Sequence, residues 1–208
     1  MIKVQRFVNQ LLSSNCFVVY DDESKKAVVI DPGSEKSEKE IYFIEKEGLF
    51  LDYIVLTHEH TDHCYGVNSL KKRYCNSKVV FSEECCNYIK KANRIFFQFY
   101  FDSLERLDEI VPSPDVIIHS KTDSIQWGNY IIHFILTPGH SKGSMCISLG
   151  EMLFTGDTVL QYPPVFCGIG CDKNEWKKSV QIVLSEFHDM VKVYPGHGEP
   201  FRLKDYKQ

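Results

Sequence analysis

The sequence predicts a mixed α/β chain folded as two β-rich halves that face each other, each with helices on its outer side. Three observations predict it. Short β-branched or fully apolar runs alternate with stretches bounded by helix-capping residues. The order of elements repeats: hairpin, acidic turn, helix, apolar strand and histidine turn occur over residues 15–63 and again over 144–197. The strands of both halves also end in polar turns, where a site would assemble between them. With 208 residues there is material for one sizeable core, so residues 1–208 are expected to form a single domain.

Residues 15–20 (NCFVVY) and 27–30 (AVVI) flank the polar DDESKK and read as a hairpin ending in the turn Asp31-Pro32-Gly33. Ser37 and Glu40 have capping-box spacing and open a helix that runs to about Glu47, which Gly48 is placed to end in the left-handed conformation. Residues 53–56 (YIVL) form a short apolar strand, followed directly by the stretch THEHTDHCYG. A helix over about 67–75, a strand over 78–81 and a helix over 82–91 come next. Residues 92–114 differ from the rest: an aromatic burst, FFQFYF at 96–101, then PSP. They read as an inserted segment whose aromatics form its own core, with a pocket wall, a lid or a dimer surface as the other roles. Strands follow over 116–119, 124–127 and 130–136, the last two joined by a tight Gly128-Asn129 turn. Residues 144–149 and 152–155 make a hairpin about Gly150-Glu151. Asp172, with Glu175 three residues on, caps a helix to about Phe187, and a strand over 192–194 leads into Pro195-Gly196-His197-Gly198.

Composition narrows the function classes. The chain is 43% hydrophobic and 25% charged, ordinary for a globular protein, and its net charge of −4 offers no general attraction to nucleic acid. No apolar run reaches the roughly 18 residues needed to span a bilayer, and the start lacks the apolar core and cleavage site of a signal peptide. A cytoplasmic location is expected. The eight cysteines include an adjacent pair, Cys85 and Cys86, and others inside strand-like segments, so they read as free thiols rather than a disulfide framework. Cys167 and Cys171 have metal-like spacing but no second pair at matching spacing.

The chemistry lies in the turns. His58 and His60 stand two apart just beyond an apolar strand, and extended residues at that spacing point the same way, so both imidazoles reach one ion. Asp62 and His63 follow where the chain turns into a helix, and helical neighbours diverge, so this pair aims elsewhere. Zinc-type sites take about four ligands per ion. Four candidates within six residues crowd one ion, and the stretch reads as serving two neighbouring ions. Three similar turns offer further ligands: Thr137-Pro138-Gly139-His140, Thr155-Gly156-Asp157 and Tyr194-Pro195-Gly196-His197. His119, His133 and His188 sit at a strand end, in mid-strand and at a helix end.

Together these residues resemble the metallo-β-lactamase superfamily. Its signature, His-x-His-x-Asp-His followed by a distant His, an Asp and a His, stands here as His58, His60, Asp62, His63, His140, Asp157 and His197, in the family's order. The flanking TPGHSKGS, FTGDT and YPGHG also look like the family. The resemblance implies an αββα four-layer sandwich. It implies that His58, His60 and His140 hold one divalent ion, that Asp62, His63 and His197 hold a second, and that Asp157 bridges them. Zinc is the expected metal, with iron or manganese as alternatives. A hydroxide between two cations has a lowered pKa and a fixed position, and Asp62 is the catalytic carboxylate expected to orient it or handle its proton.

Within the family, the length and the TPGH…FTGD…YPGHG pattern look most like glyoxalase II and its shorter single-domain relatives, hydroxyacylglutathione hydrolase-like proteins that cleave thioesters such as S-lactoylglutathione. This implies a small-molecule hydrolase in which a metal-bridging hydroxide attacks a thioester or ester carbonyl. A thiolate leaves without a proton, so no separate general acid is required. Three departures bear on the substrate. The sequence runs from 198 to 208 beyond His197, so the helical domain that glyoxalase II proper uses to bind glutathione is not expected here. The family's glutathione-contacting residues fall near 167–172 (CGIGCD), where Ile169 and Cys171 occupy the nearest places. The aromatic segment at 94–114 would also reshape the pocket. Lys142, Tyr162, Ile169 and Cys171 are the expected substrate contacts.

Three other readings share the fold. One is a persulfide dioxygenase with a single iron on His58, His140 and Asp157. Another is a nuclease, against which the acidic charge counts. The third is a metal-binding module without turnover, although such proteins usually lose ligands and none is missing here. Of the neighbouring residues, Asp31 reads as fixing its turn by a hydrogen bond. Glu59 reads as solvated or as a partner of the ligands, since the H-E-x-x-H spacing of a zincin base is absent. Cys64 reads as a packed thiol.

Overall fold

Alternation along the strands builds the layers of this computed structural model, which describes residues 1–207 other than 102, 106, 108–110 and 167. In β2 (Asn15–Asp21) every residue is buried. Successive side chains of a strand leave opposite faces of the sheet: Cys16, Val18 and Tyr20 enter an outer core, while Phe17 and Val19 enter a second core. β3 (Lys26–Ile30) divides in the same way, Ala27 and Val29 against Val28 and Ile30. β4 (Phe50–Val55) and β5 (Lys78–Ser82) continue the pattern, and β1 (Ile2–Val8) and β6 (Val116–Ile118) form the edges. The order is β1-β2-β3-β4-β5-β6, antiparallel from β1 to β3 and parallel from β3 to β6.

The second sheet comprises β7 (Thr122–Trp127), β8 (Tyr130–Leu136), β9 (Met145–Leu149), β10 (Met152–Gly156), β11 (Lys192–Pro195) and β12 (Phe201–Arg202), also in sequential order. Only the β10–β11 pair is parallel. Phe134, Met145, Ile147, Phe154 and Tyr194 meet Phe17, Val28 and Val55 between the sheets. There Phe17 packs edge-on against both Phe154 and Tyr194, with ring centroids 5.4 Å apart in each pair. Full burial of one such side chain stabilises the fold by roughly 1.5–3 kcal/mol.

Helices close the outer faces. α1 (Glu38–Lys46), α3 (Val67–Arg73) and α4 (Glu83–Tyr100) bury Ile44, Val67, Leu70, Cys85 and Ile89 on the first sheet. α5 (Lys173–Glu186) buries Val180 and Val183 on the second. The short α2 (Thr61–Cys64) lies at the site. The layer order is helix, sheet, sheet, helix, as the sequence implies.

Several local expectations change. Ser37 does not cap α1: it is left-handed, at φ 46°, and its hydroxyl donates to the Ser34 carbonyl instead. The helix begun at Ser82 does not stop at 91 but runs to Tyr100, so residues 96–100 are its last turns. Residues 102, 106 and 108–110 of the expected insertion lie outside the described residues. β1 and β12 were not expected. Asp172 caps α5 as expected, its carboxylate accepting from the N–H groups of Asn174 and Glu175 at 2.7 and 3.1 Å. Gly48 ends α1 at φ +63°. Among the described residues no helix is long and apolar enough to cross a membrane.

Candidate metal centre

The turns leaving β3, β4, β8, β10 and β11 converge at one edge of the sandwich and carry Asp31, His58 with His60, His140, Asp157 and His197 respectively. The seven candidate ligands predicted from the sequence come together there. His58 Nε2 lies 3.1 Å from His60 Nδ1, and His140 Nε2 lies 3.0 Å from the same atom. Beside them, Asp62 Oδ2 is 3.3 Å from both His63 Nε2 and His197 Nε2. Each set of three offers ligand atoms within 4.8 Å of one another. Asp157 stands between the sets: its Oδ2 is 3.4 Å from His140 Nε2 and 3.6 Å from His197 Nε2, while Oδ1 is 3.8 Å from His63 Nε2.

The backs of the ligands are fixed by partners. Thr57 donates its backbone N–H to Asp31 Oδ1 at 2.7 Å and its hydroxyl to Oδ2 at 2.6 Å. Because that hydroxyl hydrogen is committed, Thr57 Oγ1 accepts from His58 Nδ1, 3.0 Å away, which leaves the lone pair on Nε2 facing the centre. Asp31 Oδ2 likewise takes His63 Nδ1 at 3.0 Å and turns His63 Nε2 inward. Asp31, His58 and His63 also lie close enough to hold an ion, but His63 Nδ1 is already bonded to Asp31 and His58 Nδ1 to Thr57, so this cluster supports the ligands rather than forming a third site. The Asp62 carbonyl accepts from the Ser14 hydroxyl. Gly196 must lack a side chain, since a Cβ there would collide with the Asp157 carboxylate.

Electrostatics suits cations. Burial drives His58 and His140 well below the usual histidine range and His60 down to about 4, so these three rings are neutral at pH 7. Burial alone would raise Asp62, but the neighbouring His63 charge and the hydrogen bond from His197 hold it well below the usual carboxylate range. Burial alone would lower His63, but Asp62 and Asp31 hold it well above its ordinary value. Burial raises Asp157, against the pull of His63 and His197. As a neutral ring His60 offers one proton or one lone pair at Nδ1, so it makes a full hydrogen bond to only one of His58 Nε2 and His140 Nε2. His63 Nε2 and Asp157 Oδ1 are also buried without a hydrogen-bond partner. A set of neutral imidazoles, carboxylates and orphaned atoms fits divalent metal.

The expected substrate contacts are placed differently from one another. Lys142 is not a free cation, because its Nζ bonds Glu175 at 3.0 Å. Tyr162 is half exposed and lies at the rim, its ring within 3.7 Å of where a Cβ on Gly198 would stand. It also lines a cavity of about 520 Å³ together with Leu160, Trp176, Val180 and Tyr206. Ile169 and Cys171 are partly buried in the loop whose Gly168 backs onto His60 Nε2, while Cys167 lies outside the described residues. Cys64 is a buried free thiol, as expected. Glu59 is not solvated: it is buried, and its carboxylate bonds Ser141 and Gly143. Asp31 does not fix its own turn as expected: among the described residues its carboxylate bonds go to Thr57 and His63 across the fold. A signal for it existed, since the repeated element order sets the Asp31 turn opposite the Asp157 turn.

A family model described as the metallo-beta-lactamase superfamily matches residues 9–197. A probable polyketide biosynthesis zinc-dependent hydrolase of Bacillus subtilis is 35% identical over 186 residues, covering 88% of this chain and 72% of that protein. A hydroxyacylglutathione hydrolase of Buchnera aphidicola is 33% identical over 152 residues, covering 73% of this chain and 50% of that protein. The crystal structure of the B3 metallo-beta-lactamase BLEG-1 superposes with a TM-score of 0.84 over 99% of this chain and 95% of its own, at 22% identity, a likeness of fold.

Proposed function

Because the chain belongs to the metallo-β-lactamase superfamily, we propose that it is a metal-dependent hydrolase that holds two divalent cations and cleaves a small thioester or ester. One observation carries the reading: the Asp157 carboxylate stands between two ligand sets, within 3.4 Å of His140 in one and 3.6 Å of His197 in the other. The similarity to a zinc-dependent hydrolase supports metal-dependent hydrolysis with zinc, and the similarity to a hydroxyacylglutathione hydrolase supports a thioester.

His58, His60 and His140 would hold one cation, Asp62, His63 and His197 the other, and Asp157 both. When bound, the cations supply Lewis acidity to the carbonyl under attack and make water a nucleophile at neutral pH. The protein's own groups do the rest. Asp31 and Thr57 lock His63 and His58 so that no ring turns as the ligands engage. Asp62, held ionised, accepts a hydrogen bond from the attacking water or takes its proton. A thiolate leaving group needs no acid to protonate it. Tyr162 at the rim and the loop over His60 shape the way in.

Metal analysis of the full chain together with a panel of thioesters, esters, lactams and phosphoesters tests the reading. The expected result is about two transition-metal ions per chain and turnover of thioesters or esters that a chelator abolishes. One iron per chain with oxygen uptake on glutathione persulfide would overturn it in favour of a dioxygenase. Two ions with no turnover across the panel would reduce the protein to a metal-binding module.

A further inference from the structure

Glu59 sits between the ligands His58 and His60 in the bent segment after β4, yet its carboxylate meets Ser141 and Gly143 rather than the ligand nitrogens. It is 1% exposed. Its Oε2 accepts from the Ser141 hydroxyl at 2.9 Å and its Oε1 from the Gly143 N–H at 3.3 Å. Both donors belong to the turn that carries His140. A Cβ on Gly143 would collide with the Glu59 carboxylate, so the turn closes onto it at a residue without a side chain. Helix α4 and the residue that caps it hold both partners from outside: the Ser82 hydroxyl donates to the Gly143 carbonyl at 2.7 Å, and Asn93 Nδ2 donates to the Glu59 carbonyl at 3.1 Å. Among the described residues no basic side chain pairs with Glu59. A buried carboxylate without a cation is costly to the fold. What it supplies in return is a two-point acceptor that joins chain segments more than 80 residues apart in sequence.

We propose that Glu59 is a positioning residue for the set His58, His60 and His140, its carboxylate fixing the His140 turn against the turn that bears the other two rings. The inference rests on the reading that the centre holds metal. His60 and His140 meet at 3.0 Å across the two turns, and among the described residues the hydrogen bonds of the Glu59 carboxylate go to the His140 turn and not to Asp62, His63 or His197. Loss of the tie would therefore loosen one ion and spare the other.

The test loads the full chain with cobalt(II) and withdraws it with a graded chelator, following the visible absorption of each equivalent. A His140→Ala chain, which lacks the first equivalent, assigns the bands. In Glu59→Ala the first equivalent should leave at about tenfold to hundredfold lower chelator activity with an altered visible spectrum, while the second is unchanged. Glu59→Gln, which keeps one acceptor, should fall between. A merely structural role would lower thermal stability and leave the ratio of the two affinities where it was, so equal weakening of both equivalents, or of neither, overturns the proposal. Should Glu59→Ala not fold, Ser141→Ala must show the same selective loss on a smaller scale, and an unchanged ratio there overturns it equally. Absence of any cobalt uptake by the unaltered chain would sink the hydrolase reading and this inference together. Normal uptake with an unchanged ratio sinks only this inference.

Discussion

At the scale of the residue, position relative to the two ligand sets decides what each substitution does. Asp157 has an oxygen toward both, so Asp157→Ala should cost hydrolysis more than the roughly 100-fold typical of losing a ligand's partner, with the fold largely kept. Steady-state rates beside a thermal melt would check it, and full activity in that variant would refute the two-ion mechanism. His63 predicts a proton. The Asp62 and Asp31 carboxylates keep it charged without metal at neutral pH, whereas His58, His60 and His140 are already neutral. Raised affinity for the proton means competition, so cation affinity at the second set should fall as pH falls, and uptake should release a proton. Calorimetry in buffers of different ionisation enthalpy counts it, and in His63→Ala that proton should be missing. The ligands were legible because each is a lone polar residue in a small-residue turn after an apolar strand. The particular partners of Asp31 and Glu59 were not, because they lie across the fold, here Thr57, His63, Ser141 and Gly143, and sequence distance hides those meetings.

At the scale of the element, α4 shows how a continuous pattern is misread. Cys85, Ile89, Asn93 and Phe97 recur every fourth residue and are its buried face. Asn93 interrupts the apolar signal, so the stripe reads as two pieces, although the amide is buried because it serves the Glu59 carbonyl and the Cys64 thiol. The aromatic burst divides accordingly. Phe97 is buried and packs edge-on against Tyr65 at 5.5 Å, whereas Phe99 is 83% exposed. Phe97→Ala should therefore cost about 3–5 kcal/mol in chemical denaturation, and Phe99→Ala no more than about 0.5 kcal/mol. Similar costs for the two would mean that the helix does not lie as described. β1 escaped notice for another reason: it is an edge strand of half-buried and exposed residues, and its mixture of polar and apolar side chains lacks the apolar run that marked β2 and β4. The Ser37–Glu40 spacing misled because a cap depends on backbone angles as well as spacing, and Ser37 is left-handed.

At the scale of the whole molecule, the two sheets contribute unequal shares of each ligand set. His58 and His60 leave the first sheet and His140 the second; Asp62 and His63 follow the first and His197 the second. The repeated order of elements made this legible, since it placed matching polar turns at matching strand ends, while the polar tie of Asn15 to Pro195 and Gly198 beside the centre was not. Any ion at either set must therefore join the halves, in addition to the apolar core between the sheets. An ion that binds the folded chain alone stabilises it by about 2.7 kcal/mol at a free concentration of one hundred times its dissociation constant. For a chain of this length about 2–4 °C of melting temperature accompanies each kcal/mol, so removal of metal should lower the melting point by roughly 5–10 °C per ion. The drop should shrink in His197→Ala, which keeps only the three-histidine set complete, and should vanish when ligands of both sets are replaced. A melt that ignores chelation in the unaltered chain would show that the centre is not a cross-sheet link, whatever it binds.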